Sequence, residues 1–566
     1  MKLLLIVAAV LLLQRSHLTE CTINLLSLGT IYLPYGFDDN GEPMFEMGRG
    51  AAEQSAFDDL NNIIYVIGET GLIHVVDVSD PKSMKLVHTV TQNNVLSDVE
   101  VCGSYVAITM LDDFVPGNGN LLLYSLYDPL KESMELMYML QVGPNPDSLK
   151  CTSDGKTIIV ANEGEAGTNE FGNFEDPEGS VSIIKLSSGD LSVDPLIITQ
   201  DTAWLNVFND KADEYVANGV RWIYHGEGSG QMTTFSQDLE PESMTLSEDE
   251  TTAYVVLQEN NAIAVLDMIT GEFKELYALG FKKWDTTLID ASDKDGGINL
   301  HYWPIYGMYQ PDTIKYFTIA GQEYIATANE GADKEFYVTA DYTFAEGLRG
   351  EDFVLGNMVS ETVSDAMFLA LSDETLLGRL QFSTVDGQSM DDPTKYEEFY
   401  SYGSRSFSVF RVSDMSLVFD SGDEVERMHA VVYPTIFNTK FEQADMDVNG
   451  PEDEMDKSSD KKGPQPESMA IGHVGSKTVF FFGCEKPSTI VMYSVIEGYD
   501  PIFESIYRAG ELDGTYEELY QSRQVGDTDP EDVRFVDVAK SPIGRAMLIV
   551  TGSLSGTLST YEVLDD

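Results

Sequence analysis

Apolar residues along this chain fall in short runs rich in Val, Ile, Phe and Tyr, separated by clusters of Asp, Asn, Ser and Gly. The runs are β-branched and aromatic, and the polar clusters are turn formers, so the pattern predicts antiparallel hairpins. One unit recurs. An acid, in most copies behind a proline, opens a run; a turn follows; a second run ends on another acid. Pro146-Asp147 leads through Asp154-Gly155 to Asn162-Glu163, Pro241-Glu242 to Glu259, Pro311-Asp312 to Glu330, Pro466-Glu467 to Glu485, and Pro530-Glu531 to Thr551. Less regular copies open at Ala52-Glu53, closing near Glu69, and at Ser97-Asp98. Further strand-like runs follow most hairpins, as at 180–186, 262–268 and 488–495. Four strands repeated seven times around an axis need no single large core and leave only short edges. The expected fold is therefore all-β, a seven-bladed β-propeller with four-stranded blades. A solenoid or separate β-sandwiches are the alternatives. Residues 23–33 are expected to supply the outer strand that closes the ring on the last blade.

Two stretches interrupt the repeat. Residues 331–402 separate the two hairpins of blade five and read as a partly helical insertion, with helical stretches around Phe344 and over 362–371. Residues 438–463 are polar and acidic and are expected to form a solvent-exposed loop. At the start, Met1-Lys2 precedes an apolar run over 3–13 that is too short to cross a bilayer, which needs about 20 residues. It reads as a secretory signal over 1–19, with cleavage between 16 and 21, leaving 20–566 as a single propeller domain. The sequence carries neither a later membrane-length apolar run nor the hydrophobic tail of a lipid-anchor signal. The expected location is secreted and extracellular.

Composition narrows the partners. The chain has 566 residues with 95 Asp and Glu against 34 Lys and Arg, a formal net charge of −61. Its hydrophobic fraction of 43% is that of a globular protein, so the acidity does not signal disorder. The sign of the charge argues against nucleic acid and against anionic membrane surfaces. It favours cations: calcium ions, a mineral surface or basic matrix proteins. Of the four cysteines (Cys21, Cys102, Cys151 and Cys484), Cys102 and Cys151 are free to pair, although at this size a disulfide is optional. No CxxC pair suggests zinc, and no Asn-x-Ser/Thr sequon is present.

The repeat also positions the acids. The residue before the first strand of a hairpin and the residue after the second lie at the same end. Asp147 should therefore face Glu163, Glu242 face Glu259, Asp312 face Glu330, Glu467 face Glu485, and Glu53 face Glu69, with Glu531 in the last copy. Arranged radially they form two acidic rings on one face. Carboxylates this close repel unless cations sit between them, and hard oxygen donors suit Ca²⁺. The competing reading is that each acid accepts backbone amides and pins neighbouring blades. A second candidate is local: Asp445, Asp447, Asn449, Asp453 and Asp456 fit the Asp-x-Asp-x-Asn-Gly start of a calcium loop. It departs from that pattern at Pro451 and Glu452, and it ends on Asp rather than Glu. Asp290, Asp293 and Asp295 before Gly296 form a smaller acidic run of the same kind.

Enzyme signatures such as HExxH, GxSxG and the phosphate-cradling GxxxxGK[ST] are missing, so no catalytic residue is assigned. The leading expectation is a secreted acidic propeller that interacts with calcium in an extracellular matrix or in biomineralisation. Two alternatives stand beside it. One is a metal-dependent, phosphatase-like hydrolase using acids at the propeller mouth. The other is an extracellular protein-binding adhesion module.

The residues also carry a family likeness. Asn162-Glu163-Gly164, the Gly296–Gly297 pair leading to Trp303-Pro304-Ile305, Ala328-Asn329-Glu330-Gly331, Gly403-Ser404-Arg405-Ser406 and Gly463-Pro464-Gln465-Pro466-Glu467 recur in order over nearly the whole chain. In these the chain resembles the choice-of-anchor I family, whose animal members are cell-surface glycoproteins of biomineralising cells. The resemblance implies a propeller fold, an extracellular protein and, in animals, a link to calcified skeleton formation. The sequence departs from that pattern in lacking a glycan sequon and an anchor signal, and in ending its last hairpin on Thr551-Gly552-Ser553.

Overall fold

The computed structural model describes residues 22–339 and 342–565. The expected signal segment, 1–19, and Cys21 lie outside them. The described residues form an all-β protein with seven four-stranded antiparallel sheets and a few short helices. The innermost strands of the first six sheets are Ser55–Asp58, Leu96–Val101, Pro146–Cys151, Pro241–Leu246, Thr313–Ile319 and Pro466–Val474. In the seventh sheet Asp532–Val536 is innermost, and the outer strand Ile23–Tyr32 comes from the other end of the chain, paired with Thr557–Asp565.

The apolar runs are continuous because the middle strands are buried on both faces. Successive side chains point to opposite faces, so neighbours in sequence serve different interfaces. Ile64 packs toward the seventh sheet with Ile549 and Leu558, while Tyr65 packs toward the second with Val106 and Leu122. Ile158 and Ile159 divide in the same way between the second and fourth sheets, as do Tyr254 and Val255 between the fifth and third. Phe480 joins Phe407 of the fifth sheet, and Phe481 joins Leu548 of the seventh. Each sheet thus packs on its successor and the seventh packs on the first. Burial of each such large side chain contributes about 1.5–3 kcal/mol. A Cys102–Cys151 disulfide ties the second sheet to the third, and Cys484 is buried and unpaired.

The stretch 331–402 does lie between two strands of the fifth sheet, Gln322–Asn329 and Ser406–Arg411, but it does not stand alone. Its strands Gly347–Arg349, Gln381–Ser383 and Tyr400–Ser401 join Tyr306–Met308 and Phe281–Lys283 in a five-stranded sheet. Trp284, Ile289, Phe353, Leu371 and Phe382 form its own core. The helical expectation holds at Asp365–Leu371. It fails around Phe344, which lies in the strand Tyr342–Ala345 paired with Glu335–Thr339, where Phe344 stacks on Phe336. The aromatic pair secures a strand that residue-by-residue helix propensity missed. The 438–463 segment also differs from a solvated loop. Asn438 and Ser459 are fully buried and Asp456 and Asp460 nearly so; Arg405 Nη2 donates to the Ser459 carbonyl, Asn438 Nδ2 to Ser459 Oγ, Ser459 Oγ to Asp456, and Arg349 and Arg379 to Asp460. Among the described residues no helix is long and apolar enough to cross a membrane.

Candidate metal centre

Four of the inner strands share a local irregularity. Ladder pairing skips two residues between Pro146 and Leu149, Pro241 and Met244, Pro466 and Met469, and Leu96 and Val99. The skipped residues are an acid and a serine. A bulge re-aims the side chains it carries, and here it splits the two tasks. The serine hydroxyls stitch each inner strand to the next: Ser97 Oγ donates to the Pro146 carbonyl at 2.6 Å, Ser148 Oγ to that of Glu242 at 2.6 Å, and Ser468 Oγ to that of Pro530 at 2.5 Å. Ser243 does the same to Asp312. The hydroxyls escaped sequence reasoning, although their signal is plain in the repeated Pro-acid-Ser/Thr triplet.

A 270 Å³ cavity is lined by residues from the entry of all seven sheets, among them Glu53, Asp147, Asp312 and Glu531. Lys150, Lys315, Asp532 and Arg534 of its lining belong, with Glu100 of the adjoining cleft, to an ion network that the sequence reading also missed. Lys150 sits 2.8 Å from Glu100 and 3.5 Å from Asp98, and Arg534 sits 3.2 Å from Glu100 and 2.9 Å from Asp532. Lys315 faces both cations, and burial together with their charge brings its ammonium down to about 8. Each of the three follows its opening acid by three residues (Asp147, Asp312 and Glu531), a spacing that was available to find them.

At the mouth, burial raises most of the ring acids. Asp147 rises to about 7, with Asp98 and Glu259 adding to the effect. Glu53 and Asp312 rise to about 8, beside Glu69 and Glu330 respectively. Burial also lifts Glu163, beside Asp147, and Glu242, beside Glu259, well above the carboxylate range. Glu259 is raised as well, against the pull of Lys334. Bases reach two of the closing acids. Burial works against charge on Glu330, yet Lys462 at 2.6 Å, Gln465 Nε2 at 2.7 Å and Gln258 Nε2 at 3.0 Å hold it below its ordinary value. Glu485 pairs with Lys486 and accepts from Gln465.

Beside them stands a second group of acids that makes no direct ion pair among the described residues, although the charge of Lys486 reaches Asp529 and that of Lys462 reaches Glu467. Carboxylate oxygens of Glu467, Asp529 and Glu531 lie within 4.8 Å of one another. Glu467 Oε2 and Asp529 Oδ1 are buried with no hydrogen-bond partner among the described residues. The other Asp529 oxygen accepts from Ser553 Oγ at 2.7 Å, which holds the side chain. Burial and the neighbouring acids lift Glu467 and Glu531 well above the carboxylate range and Asp529 to about 7. Asp529 was not among the sequence candidates; its signal is the spacing Asp529-Pro530-Glu531, which puts a second acid at the same strand entry. Hard oxygen donors with unused lone pairs in one small volume are chemically suited to a divalent cation.

The 445–456 acids are not brought together. Asp445, Asp447 and Asp453 are exposed, Asn449 donates to Glu454, and Asp453 Oδ2 accepts from the Gly450 amide at 2.9 Å. Asp456 is buried elsewhere, beside Asp290, Asp295 and Glu426.

The geometry defines an all-β protein of packed four-stranded sheets whose entry strands gather carboxylates at a central cavity. The profile of the Choice-of-anchor I domain matches residues 53–497, and the chain belongs to that family. It is 25% identical over 692 residues to "Mesenchyme-specific cell surface glycoprotein" of Strongylocentrotus purpuratus, covering 92% of this chain and 85% of that protein. It is 36% identical over 196 residues to "Gigasin-3a" of Magallana gigas, covering 34% of this chain and 67% of that protein. Among solved structures, that of Saccharomyces cerevisiae Sqt1 aligns with a TM-score of 0.41 at 8% identity, covering 92% of this chain and 97% of that one.

Proposed function

We propose that this chain is a secreted seven-bladed β-propeller that holds calcium at the acidic mouth of its central cavity and works in an extracellular, mineralising matrix. The seven-blade reading is supported by seven sheets packed in cyclic order and by the pairing of the N-terminal strand with the last sheet. The matrix setting draws on the sea-urchin and oyster relatives.

One observation carries the calcium reading: the convergence of Glu467, Asp529 and Glu531 with two unpartnered buried oxygens. Without a cation, crowding forces protons onto these groups near neutral pH. A divalent ion removes that repulsion and is coordinated by the oxygens the fold leaves free, so binding expels protons and tightens as pH rises. Calorimetric titration of the chelator-treated protein with Ca²⁺ in two buffers of different ionisation enthalpy should show binding with proton release. The double change Glu467→Gln with Glu531→Gln should abolish both. Absence of binding below millimolar Ca²⁺ overturns the reading.

A second reading, a metal-dependent phosphate-ester hydrolase, is favoured by an 850 Å³ cleft beside the same mouth, where Arg349, Arg379, Lys461, Lys462 and Lys486 stand with Glu467. Turnover with Ca²⁺, Mg²⁺ or Zn²⁺ that Glu467→Gln abolishes supports it. No turnover with any of the three rules it out.

A further inference from the structure

A further cavity shares no lining residue with the mouth and lies where two inserted hairpins meet. One hairpin pairs Gly167–Thr168 with Phe174–Glu175, and the other pairs Glu335–Thr339 with Tyr342–Ala345. They pack through an aromatic cluster in which Phe174 stacks on Phe336 at 5.9 Å and Tyr224 meets Phe336 and Phe344 edge-on. Beside that cluster opens a cleft of 820 Å³, lined by the apolar Phe174, Met232 and Val338 and by the polar Glu175, Asp176 and Gln237. None of the lining residues is a lysine, an arginine or a histidine.

Asp176 is left without a counter-charge of its own. Its Oδ2 is buried with no hydrogen-bond partner among the described residues. The groups that could serve it are engaged elsewhere. Gln237 Nε2 donates to the Asp176 backbone carbonyl rather than to the carboxylate. Lys334, whose charge reaches Asp176, is held 3.3 Å from Asp238 and 3.0 Å from Glu240. Burial lifts Asp176 to about 7 against that pull. A carboxylate so placed gains most from a donor that arrives with a positive charge.

The chemistry of the walls favours a side-chain cation over a metal ion. Calcium takes about six to eight oxygens around one point. Here Glu175 Oε1 already accepts from Asn169 Nδ2 at 2.5 Å, and among the described residues no three acids converge as they do at the mouth. Phe174, Val338 and Met232 instead offer ring, aliphatic carbon and thioether. A guanidinium matches both features. Its planar N–H pairs grip a carboxylate, while its flat face and alkyl stem pack on apolar surface.

Exposure and charge make the cleft reachable. Met232 is 80% exposed at its rim, and Phe171, in the turn of the first hairpin, is 77% exposed. Large apolar side chains left in water beside a polar cleft mark an interaction surface. From Glu163 to Glu178 the chain carries six acids and no base, so the field around the opening draws cations.

We propose that this cleft docks an arginine of a basic partner protein, its guanidinium paired with Asp176 and its stem lying against Met232 and Phe174. The contact requires no calcium and no ligation at the mouth.

The test uses the full mature chain and a fluorescent glycine–serine peptide carrying spaced arginines, read by anisotropy at about 0.15 M salt. A twin peptide with citrulline for arginine keeps the shape and removes the charge, and it should bind about tenfold more weakly or worse. Asp176→Asn keeps the side-chain shape and should weaken the arginine peptide about tenfold. Met232→Arg alters an exposed residue, so folding is not at stake; it should fill the cleft with an arginine of its own and cause a similar loss. Glu497→Gln, at an exposed acid outside the cleft, changes the net charge by the same amount and should leave affinity within about twofold. The mouth variant Glu467→Gln with Glu531→Gln should do the same. Equal losses in Asp176→Asn and Glu497→Gln would mean attraction to the acidic surface as a whole and would overturn the proposal. So would unchanged binding in Met232→Arg, a comparable loss in the mouth variant, or no binding below about 1 mM peptide.

Discussion

Two groups of acids at the same mouth, one closing hairpins and one at hairpin entries, meet different counter-charges. Glu330 and Glu485 close their hairpins beside Lys462, Lys486 and two glutamines, and Glu330 is held charged. Glu467, Asp529 and Glu531 stand at hairpin entries with no direct ion pair among the described residues, and burial outweighs the pull of Lys486 on Asp529, so that all three are raised above the ordinary carboxylate range. The strand register places both sets at the same end, so the difference comes from what the rest of the chain brings to them. The 438–463 segment brings Lys462 within 2.6 Å of Glu330, whereas Glu467 Oε2 and Asp529 Oδ1 keep lone pairs without a partner among the described residues. An acid at a fixed position of the repeat is therefore not a ligand by position alone. Its counter-charge decides whether it stitches the protein together or is available to a cation.

The largest effect should come from moving one side into the state of the other. Lys462→Met strips Glu330 of its main counter-charge while keeping the aliphatic stem. Leaving a largely buried carboxylate unpaired should destabilise the calcium-free protein by about 3 kcal/mol, as removal of one partner from a buried pair does. Denaturant unfolding in chelator measures that. In saturating Ca²⁺ part of the loss should return, because Glu330 then joins the open set. An equal loss with and without Ca²⁺ would mean the mouth takes no cation.

Next comes the pH dependence of the calcium-free protein. Asp147 and Asp529 are raised to about 7 and Glu53 and Asp312 to about 8, whereas in the unfolded chain they ionise near 4. Between those values the folded state holds protons that the unfolded state has released, so stability falls as pH rises from about 4 to about 8. Calorimetric unfolding in chelator should show a transition temperature that declines across this window. Calcium should flatten or reverse the decline, since the bound state carries these groups ionised. A flat profile in chelator would remove the asymmetry between the two groups.

A smaller change of opposite sign is expected from Glu467→Gln. Burial and the neighbouring acids raise this carboxyl well above the carboxylate range, a native-state penalty above the unfolded pKa that glutamine removes while its amide can donate to Glu531 or Asp529. Calcium-free stability should rise on the order of 1 kcal/mol, and the calcium-induced rise in transition temperature should shrink. A stabilising substitution that weakens a ligand response is a signature of a site held under repulsion, which no packing role for Glu467 would produce.

How much of this the sequence carried follows from the same contrast. The hairpin acids were legible because alternation and turn spacing fix which end of a strand a residue occupies. Lys150, Lys315 and Arg534 were legible in principle, three residues after an acid, but their meeting across three separate sheets was not. The pairing of Glu330 was hidden because Lys462 is more than a hundred positions away. Phe344 misled because its partner Phe336 sits on a neighbouring strand, where local propensity does not see it.

The smallest effect is expected where the sequence motif looked strongest. Asp445 and Asp447 match the opening of a calcium loop, yet both are exposed. The Asp445 carbonyl is occupied by the amides of Val448 at 3.0 Å and Asn449 at 2.8 Å, which close a helical turn. In a calcium loop alternate oxygens must face one centre, and this turn carries the two carboxylates away from Asp453 and the buried Asp456. Exposed carboxylates in water are screened and individually worth little. Asp445→Asn with Asp447→Asn should shift stability by less than about 0.5 kcal/mol and leave the number of bound calcium ions unchanged in equilibrium dialysis. Loss of an equivalent would show that the segment refolds around the ion, and would make counter-charge a weaker guide to cation binding than the comparison of the two groups implies.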